Sequence, residues 1–518
     1  MSASNQHARA AATTVRLDGS HLTFDLLDEI YERPIRVEIA DNVWQRIDAS
    51  RQVVERIAAG DQAVYGVNTG FGHLCGKRIN ANDLDKLQHN VVRSHAVGVG
   101  PSAPDAVVRL MLLFKIHGLA LGYSGIRRDT VCCLQAMLNH DVLPVVPDKG
   151  SLGASGDLAP LAHLVIPLIG EGDVRQNGEE RPAAQAFAEA GIETVRLGAK
   201  EGLALINGTQ FMSAYAAAIL VRARRVARQA DVIASMSLEA LRGSLKPFDA
   251  RLHQLRPHPG AIDVADNFRT LMADSEILAS HIDCDRVQDP YSLRCIPQVH
   301  GASRDVISHT SGIVECEINS VTDNPLIFDD GTAISGGNFH GQPLALALDY
   351  LAIGLSELGS ISERRIYLLL NGHDELPALL MRDTGLNSGF MLPQYTAAAL
   401  VSENKLLASP ASVDSIPTSL GQEDHVSMGA IAATKCWQVM NNLETVLAIE
   451  QMCAAQALDY RLPLKPGVGP RIAHQVVRQH ITHTEQDRLF KDDIEASLAI
   501  LRAQHVLKAI EKGLGSLK

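Results

Sequence analysis

The sequence has few aromatic residues, no excess of positive charge and no long apolar run. Aromatic residues make up 4% of its 518 residues, and its formal net charge is −12. A negative chain without a long basic run is not expected to bind nucleic acid or an anionic membrane surface. The longest unbroken apolar stretches, such as residues 214–221, are too short to cross a bilayer. Nucleic-acid-binding and membrane-spanning proteins are therefore disfavoured.

Paired cysteines and the familiar catalytic motifs are also missing. The eight cysteines are scattered without a C-x-x-C pair, which predicts reduced, mostly buried thiols in a cytoplasmic protein. The adjacent Cys132 and Cys133 are predicted as two buried helix residues. The three C-terminal histidines His474, His480 and His483 fit no familiar metal spacing, so we predict a solvated helix face and no metal site.

Long helical patterns dominate the chain and predict a mainly α protein. Three proline-poor stretches, residues 211–243, 344–372 and 427–461, are long and apolar over much of their surface, which predicts a central bundle of long helices. A β-like run at 35–40 precedes a helical pattern at 42–59. We predict a polar tail at 1–20, an N-terminal loop-rich segment at 21–210, and a helical part at 211–518, together forming one compact catalytic unit.

One stretch is unusually rich in glycine around a single serine: DKGSLGASGDLAPLAH, residues 148–163. Glycine is entropically costly, so such a run marks a turn or a close approach of the backbone. Other polar loops carry side chains suited to a small substrate, since arginine fits a carboxylate and tyrosine can take a proton when its pKa is lowered. These candidates are Tyr65, His95, Asn207, Gln288, Tyr291, Arg294, Phe339 and Glu423.

The glycine-rich stretch, together with the loops YGVNTGFG, LINGTQ, QDPYSLRC and SGGNFHG, resembles the aromatic amino acid ammonia-lyase family from about residue 22 to the C-terminus. The resemblance implies that Ala154, Ser155 and Gly156 cyclise with loss of water to 4-methylidene-imidazol-5-one, without metal or diffusible cofactor. This prosthetic group would supply an electrophile that no unmodified side chain provides. Gly156 has no Cβ to block attack of its nitrogen on the Ala154 carbonyl, and Ser155 would become the methylidene.

The same resemblance implies roles for three loop residues close to the reacting atoms. Tyr65 corresponds to the tyrosine that removes the β-hydrogen of the amino acid. Asn207 and Tyr291 correspond to residues near the prosthetic group and the substrate amine. Asn207 is also expected to hydrogen-bond the oxygen of the electrophile and so stabilise developing charge.

Three further residues are implied to hold the substrate. Arg294 corresponds to the residue that binds the substrate carboxylate, with Gln288 nearby, and Phe339 to a ring beside the prosthetic group. The resemblance also implies a homotetramer in which each active site is built from three chains, and long apolar helices that a monomer could not cover fit this expectation.

Two positions bear on the amino acid substrate. His95 stands where phenylalanine-specific members have apolar residues and histidine- and tyrosine-specific members have histidine, so a polar ring, imidazole or phenol, is expected. Glu423 resembles the glutamate of histidine-specific members, where the others usually have glutamine. A carboxylate can accept a hydrogen bond from an imidazole N–H and favours its protonated form. We therefore expect elimination of ammonia from L-histidine to give trans-urocanate, the first step of histidine degradation.

Several departures from the histidine-specific pattern keep alternatives open. Gly341 and Gln342 are closer to the tyrosine-specific form, Leu420 and Gly421 replace alanine and asparagine, and residues 371–380 are shortened and altered. A tyrosine ammonia-lyase giving trans-p-coumarate, or a related aminomutase, is the alternative. A degenerate helical binding protein is the non-enzymatic alternative, although the triplet and Tyr65 are both intact.

Overall fold

The computed structural model describes residues 12–70, 78–80, 83–282, 286–373 and 375–518. Over these residues the chain is mainly helical, as the sequence predicts, with twenty α-helices and nine short strands. The helices are α1 (Phe24–Ile30), α2 (Asp41–Ala59), α3 (Leu84–His95), α4 (Asp105–Ala120), α5 (Arg128–Asn139), α6 (Leu158–Val165), α7 (Ala183–Ala190), α8 (Glu201–Ile206), α9 (Gln210–Ala240), α10 (Ala250–Leu255), α11 (Pro259–Leu271), α12 (Glu276–Ala279), α13 (Tyr291–Arg294), α14 (Ile296–Ile318), α15 (Gln342–Leu370), α16 (Met391–Leu407), α17 (Gly429–Asp459), α18 (Val468–Arg478), α19 (Phe490–Arg502) and α20 (His505–Leu514). The strands are β1 (Thr13–Leu17), β2 (Ile35–Ile39), β3 (Val99–Ser102), β4 (Leu143–Pro144), β5 (Pro147–Lys149), β6 (Asp173–Gln176), β7 (Glu179–Pro182), β8 (Leu326–Ile327) and β9 (Ala333–Ile334).

The three long helices predicted from composition are confirmed as α9, α15 and α17. Alanine and leucine dominate these segments, and neither has a branched Cβ that would restrict the helix. A fourth long helix, α14, was not predicted; its Pro297 lies in the first turn, where a missing N–H breaks no intrahelical hydrogen bond. The predicted strand at 35–40 and helix at 42–59 are observed as β2 and α2.

Contacts divide the chain into two compact units, and each is discontinuous in sequence. Unit 1 comprises Met1–Val221, Ser311–Leu348 and Ala411–Thr434, and unit 2 comprises Arg222–Thr310, Asp349–Pro410 and Lys435–Lys518. All nine strands lie in unit 1. The domain boundary that the sequence predicts between residues 210 and 211 stays a prediction.

Short strand pairings in unit 1 hold the ends of several loops, including the glycine-rich stretch at 148–163. β1 and β2 pair in parallel, whereas β3–β5, β4–β6–β7 and β8–β9 are antiparallel. β5 leads directly into the glycine-rich stretch, and its partner β3 follows the loop after His95. This pairing brings two stretches that are about 50 residues apart in sequence to the same place.

Unit 2 has a core built from helix faces and from buried charge pairs. Phe248 and Phe268 stack with their ring centroids 4.2 Å apart. Arg365 and Glu450, both fully buried, form a two-pronged ion pair at 2.6 and 2.9 Å. Charged groups buried in this way must be paired, because leaving one alone would be strongly destabilising.

Two sequence predictions about surface and burial are wrong in part. Both Cys132 and Cys133 were predicted to be buried, but only Cys133 is. Neighbouring helix residues point about 100° apart, and Cys132 lies on the solvent-exposed face of α5. His474 and His483 do not lie on a freely solvated face: both contact the carboxylate of Asp459, at 2.7 and 2.6 Å. The described residues contain no group of three or more side chains arranged to hold a metal ion.

Within the described part of the chain one helix, α15, is long and apolar enough to cross a membrane by length and composition alone. Of its most apolar 18-residue stretch, 67% is buried inside the protein, as is typical of a core helix.

Candidate active site

The glycine-rich stretch forms a loop between β5 and α6 with several residues in the left-handed backbone region. Gly153, Ser155 and Gly156 have φ angles of +85°, +52° and +77°. Gly156 and Gly208 form an isolated parallel β-bridge. A Cβ atom added to Gly156 would lie 2.1 Å from the backbone oxygen of Gly208. The glycine is therefore required both by backbone conformation and by the close approach of a second loop.

Asp157 connects this loop to the start of α9 through hydrogen bonds. Its backbone N–H donates to the Gly208 oxygen at 2.7 Å, and its carboxylate accepts from the backbone N–H groups of Phe211 and Met212 at 3.1 and 3.0 Å. These N–H groups lie in the first turn of α9 and favour the charged carboxylate, but burial outweighs them and raises the pKa of Asp157 to about 7. Sequence reasoning missed this role, because the local pattern indicates a cap for α6, whereas the side chain binds the start of α9, 54 residues further along.

Asn207 lies at the end of α8 and faces the triplet. Its Nδ2 donates a hydrogen bond of 2.6 Å to the backbone oxygen of Ser155, and its side chain is 2% exposed. A fixed amide donor aimed at a carbonyl oxygen stabilises negative charge that develops there, and it does so more strongly when water is excluded. The structure thus brings two predicted residues, Ser155 and Asn207, into direct contact.

Glu423 reaches the same serine from the opposite loop. Its Oε1 accepts a hydrogen bond of 3.1 Å from the Ser155 hydroxyl, and its Oε2 accepts one of 2.9 Å from the hydroxyl of Thr418. Thr418 and Glu423 also pair through their backbones around a tight turn. The carboxylate is therefore held in place and remains half-buried beside the triplet.

His95 ends α3 within electrostatic reach of Glu423. Burial lowers the pKa of the His95 imidazole, and the charge of Glu423 acts in the opposite direction. Ser94 hydrogen-bonds its Nδ1 at 3.0 Å, and the loop that follows is fixed by a 3.0 Å bond from the Gly98 N–H to Nε2 of His163. His163 was not singled out from the sequence, because a histidine within an apolar helix gives no distinct signal.

Tyr65 and Phe339 are both half-buried in loops of unit 1. Tyr65 lies in a turn closed by Asn68, whose side-chain oxygen accepts from the Val64 N–H at 2.8 Å. Phe339 lies just before α15, next to His340, which stacks on His425 at 6.0 Å between centroids. Residues 71–77 of the tyrosine loop lie outside the described residues.

The remaining three predicted residues belong to unit 2. Tyr291 and Arg294 share the short helix α13, with the guanidinium carbon of Arg294 4.4 Å from the tyrosine ring centroid. Tyr291 is 70% exposed, and Gln288 is exposed as well. The Nε of Arg294 is buried and makes no hydrogen bond to any group in the described part of the chain. Their roles toward a substrate stay predictions.

Comparison with known proteins gives one consistent result. A family model described as aromatic amino acid lyase matches residues 22–479. A histidine ammonia-lyase of Gloeobacter violaceus is 52% identical over 97% of this chain and 98% of its own length, and one of Myxococcus xanthus is 51% identical over 96% and 98%. Among solved structures, a histidine ammonia-lyase of Trypanosoma cruzi superposes with a TM-score of 0.89 at 43% identity, covering 98% of both chains. A tyrosine aminomutase of Streptomyces globisporus superposes with a TM-score of 0.92 at 37% identity, covering 98% of this chain and all of that one.

Proposed function

The chain belongs to the aromatic amino acid lyase family and is a carbon–nitrogen lyase, and we propose that it eliminates ammonia from L-histidine to give trans-urocanate. The observation that carries this choice of substrate is the contact between Glu423 and Ser155, with His95 nearby. A carboxylate held beside the reacting atoms can accept a hydrogen bond from an imidazole N–H. Relatives about half identical over nearly their whole length carry the name histidine ammonia-lyase, which supports the same substrate.

The residues present fit a prosthetic group made from Ala154, Ser155 and Gly156. Gly156 approaches Gly208 so closely that no side chain fits there, and Asn207 donates to the Ser155 oxygen that would become the ring carbonyl. When formed, 4-methylidene-imidazol-5-one supplies an electrophile to the substrate amine. No metal takes part in this proposal.

The side chains of the chain then have separate tasks. Tyr65 accepts the β-hydrogen, and Asn207 holds its N–H donor on the Ser155 oxygen at 2.6 Å. Arg294 binds the substrate carboxylate with its guanidinium, whose Nε makes no hydrogen bond within the described residues. Glu423 and His95 line the space for the imidazole ring.

The family resemblance assigns roles to the other three predicted residues. It assigns Tyr291 to the substrate amine, Gln288 to the substrate carboxylate and Phe339 to the prosthetic group. These three roles rest on the matching motifs QDPYSLRC and GGNFHG.

We further propose a homotetramer in the cytoplasm, with each active site built from three chains. Leu346, Tyr350 and Ile353 are 55%, 47% and 43% exposed and follow one face of α15 at helical spacing. An apolar stripe of this kind on a soluble protein marks a contact with another chain. The six cysteines in the described residues are free thiols, which suits a reducing compartment.

A tyrosine-specific reaction, as elimination or as an amino shift, is the second candidate. It is favoured by the departures at Gly341, Gln342, Leu420 and Gly421, two of which lie in the turn that carries Glu423. Leu420 is 85% exposed with a φ of +54°, so this turn presents an apolar side chain to its surroundings. The altered residues 371–380 follow α15 in unit 2.

The test is made on purified protein in two steps. Intact mass spectrometry shows whether the chain is lighter by two waters, as cyclisation requires. Ultraviolet absorbance then follows L-histidine, L-tyrosine and L-phenylalanine in turn. Urocanate from histidine alone supports the proposal. Coumarate from tyrosine with histidine inert replaces the substrate, and an unmodified mass with no product leaves a helical binding protein.

A further inference from the structure

A buried lysine that the proposed reaction does not use lies directly behind Asn207. Lys115, on α4, is 2% exposed. Its ammonium donates to the backbone oxygen of Asn207 at 2.9 Å and to that of Ala204 at 3.4 Å. These carbonyls are at the C-terminal end of α8, where helix oxygens have no intrahelical partner and a positive charge is favourable. Lys115 therefore holds the end of the helix from which the Asn207 side chain projects.

The position of the Asn207 amide depends on this contact because its other anchors are few. Its backbone N–H completes α8 by donating to the Leu203 oxygen at 2.9 Å, and its Nδ2 is committed to the Ser155 oxygen. Its Oδ1 is buried and receives no hydrogen bond from the described protein groups. The side chain is thus aimed by its backbone, and Lys115 fixes the backbone.

We propose that Lys115 is a positioning residue of this enzyme: by binding the Asn207 backbone oxygen, it keeps the Asn207 amide on the Ser155 oxygen during both formation of the prosthetic group and catalysis. This inference rests on the proposed function. The hydrogen bonds that Lys115 makes within the described residues go to Asn207 and Ala204 and not to the triplet, so it acts through Asn207.

The chemistry explains why this hydrogen bond matters before any substrate binds. In the first water loss, the Gly156 nitrogen bonds to the Ala154 carbonyl carbon. The carbonyl oxygen leaves as water with the amide hydrogens of Gly156 and Ser155, and a double bond forms between the Ala154 carbon and the Ser155 nitrogen. In the second, Ser155 loses its Cα hydrogen and its hydroxyl, leaving a carbon–carbon double bond. Negative charge builds on the Ser155 oxygen as the Cα hydrogen departs, and the Asn207 N–H stabilises it. A misplaced Asn207 amide therefore slows the second water loss.

The charges around Lys115 set the pH range in which it is protonated. Burial lowers the pKa of Lys115 to about 8, while the carboxylates of Asp323 and Asp157 oppose that shift and the neighbouring Lys200 adds to it. As the pH rises above about 8, Lys115 loses its charge and one donor. An arginine at this position stays charged throughout that range.

A second buried lysine provides a matched control. Lys200 is fully buried like Lys115, but its ammonium is paired with Asp323 at 2.7 Å rather than with Asn207. Its removal leaves a buried carboxylate unpaired, so K200M is the more destabilising of the two changes. We compare K115M, K115R and K200M with the wild type as complete, purified proteins. Intact mass gives the fraction of chains that have lost none, one or two waters, and steady-state rates are divided by the fully dehydrated fraction.

The proposal gives distinct expectations for these proteins. K115M accumulates chains lighter by one water and lowers kcat by about 10- to 100-fold with KM within about twofold, since a small misplacement of a catalytic group costs rate rather than binding. K200M is less stable than K115M because Asp323 loses its partner, yet its folded chains are fully dehydrated and keep kcat within about threefold. K115R retains most of the activity, and its kcat relative to wild type rises as the pH passes about 8.

The outcomes that overturn the proposal are equally distinct. If K115M and K200M lose equal fractions of kcat and of dehydrated chains, Lys115 has only a general role in folding. If K115M changes KM alone, Lys115 does not position a group at the reacting atoms. If K115M yields no folded protein, K115R decides: a pH profile parallel to that of the wild type overturns the positioning role. A wild-type chain of unmodified mass overturns the proposed function, and this inference with it.

Discussion

Replacing Glu423 by glutamine tests the choice of substrate with little change in shape. In the structure its Oε1 faces the Ser155 hydroxyl at 3.1 Å, and its Oε2 is held by the Thr418 hydroxyl at 2.9 Å. Glu423→Gln keeps the length of the side chain and one carbonyl acceptor, but it removes the charge. The imidazole of L-histidine then loses a charged hydrogen-bond acceptor, whereas the phenol of L-tyrosine loses little.

The expected magnitude follows from the type of hydrogen bond. A bond to a charged group contributes about 1.5–3 kcal/mol and one between neutral groups about 0.5–1.5 kcal/mol, so the substitution removes about 1–2 kcal/mol. This corresponds to a fall of roughly 5- to 30-fold in kcat/KM for L-histidine. Initial rates of urocanate formation measure it, divided by the fraction of chains that have lost two waters, since Glu423 also contacts the serine that is dehydrated.

Thr418→Val is the matched control, because it removes one hydrogen bond to Glu423 and leaves the charge in place. We expect it to lower kcat/KM for L-histidine less than Glu423→Gln does, because the carboxylate keeps its charge and its backbone pairing with residue 418. If Glu423→Gln leaves the histidine rate unchanged, or lowers the rates on histidine and tyrosine equally, the carboxylate does not recognise the imidazole. The reasoning from Glu423 to substrate would then be refuted.

Three further substitutions test other parts of the site and its support. Asn207→Ala should lower kcat by about 100- to 1,000-fold in steady-state assays, because the N–H donor to the Ser155 oxygen is lost; an effect on KM alone would contradict this. Gly156→Ala should leave the intact mass unmodified, since its Cβ would lie 2.1 Å from the Gly208 oxygen, and a chain lighter by two waters would show that the space opens. Burial lowers the pKa of His117 from 6.5 to about 4. Between these two pH values the unfolded chain binds a proton at His117 that the folded chain does not bind. The free energy of unfolding therefore falls as the pH falls through this range. Urea unfolding should show the wild type losing about 2 kcal/mol more than His117→Gln between pH 7 and pH 5, and equal losses would mean that His117 is not held neutral.

The sequence predicts the helices well because their signal is local. α9, α15 and α17 each follow from a long stretch rich in alanine and leucine without an interior proline. α14 was not predicted, although its only proline stands in the first turn, where it is compatible with a helix. The helical fold class was therefore predictable from composition and periodicity.

The contacts of the site were less predictable because they join distant parts of the chain. Asp157 binds the backbone of residues more than 50 positions away, and Lys115 binds that of Asn207, 92 positions away. In the sequence, Lys115 is one of several polar residues in a mostly apolar helix, and nothing local distinguishes it from a residue at the edge of a core. His474 was misjudged for the same reason, since its partner Asp459 lies on another helix.

The contacts that shape the triplet are separate from those of the turn that the proposed function assigns to the substrate ring. The loop that carries Gly156 is held by backbone groups at Gly208 and by the capping of α9 through Asp157. The turn that carries Glu423 is held mainly by Thr418 and reaches the triplet through one hydrogen bond. Under the proposed function, substitutions in that turn are therefore expected to change the preferred ring more than they change cyclisation. A histidine ammonia-lyase and a tyrosine aminomutase both superpose on this fold, so the fold by itself does not identify the substrate. The choice of substrate must therefore be argued from the turn at Glu423.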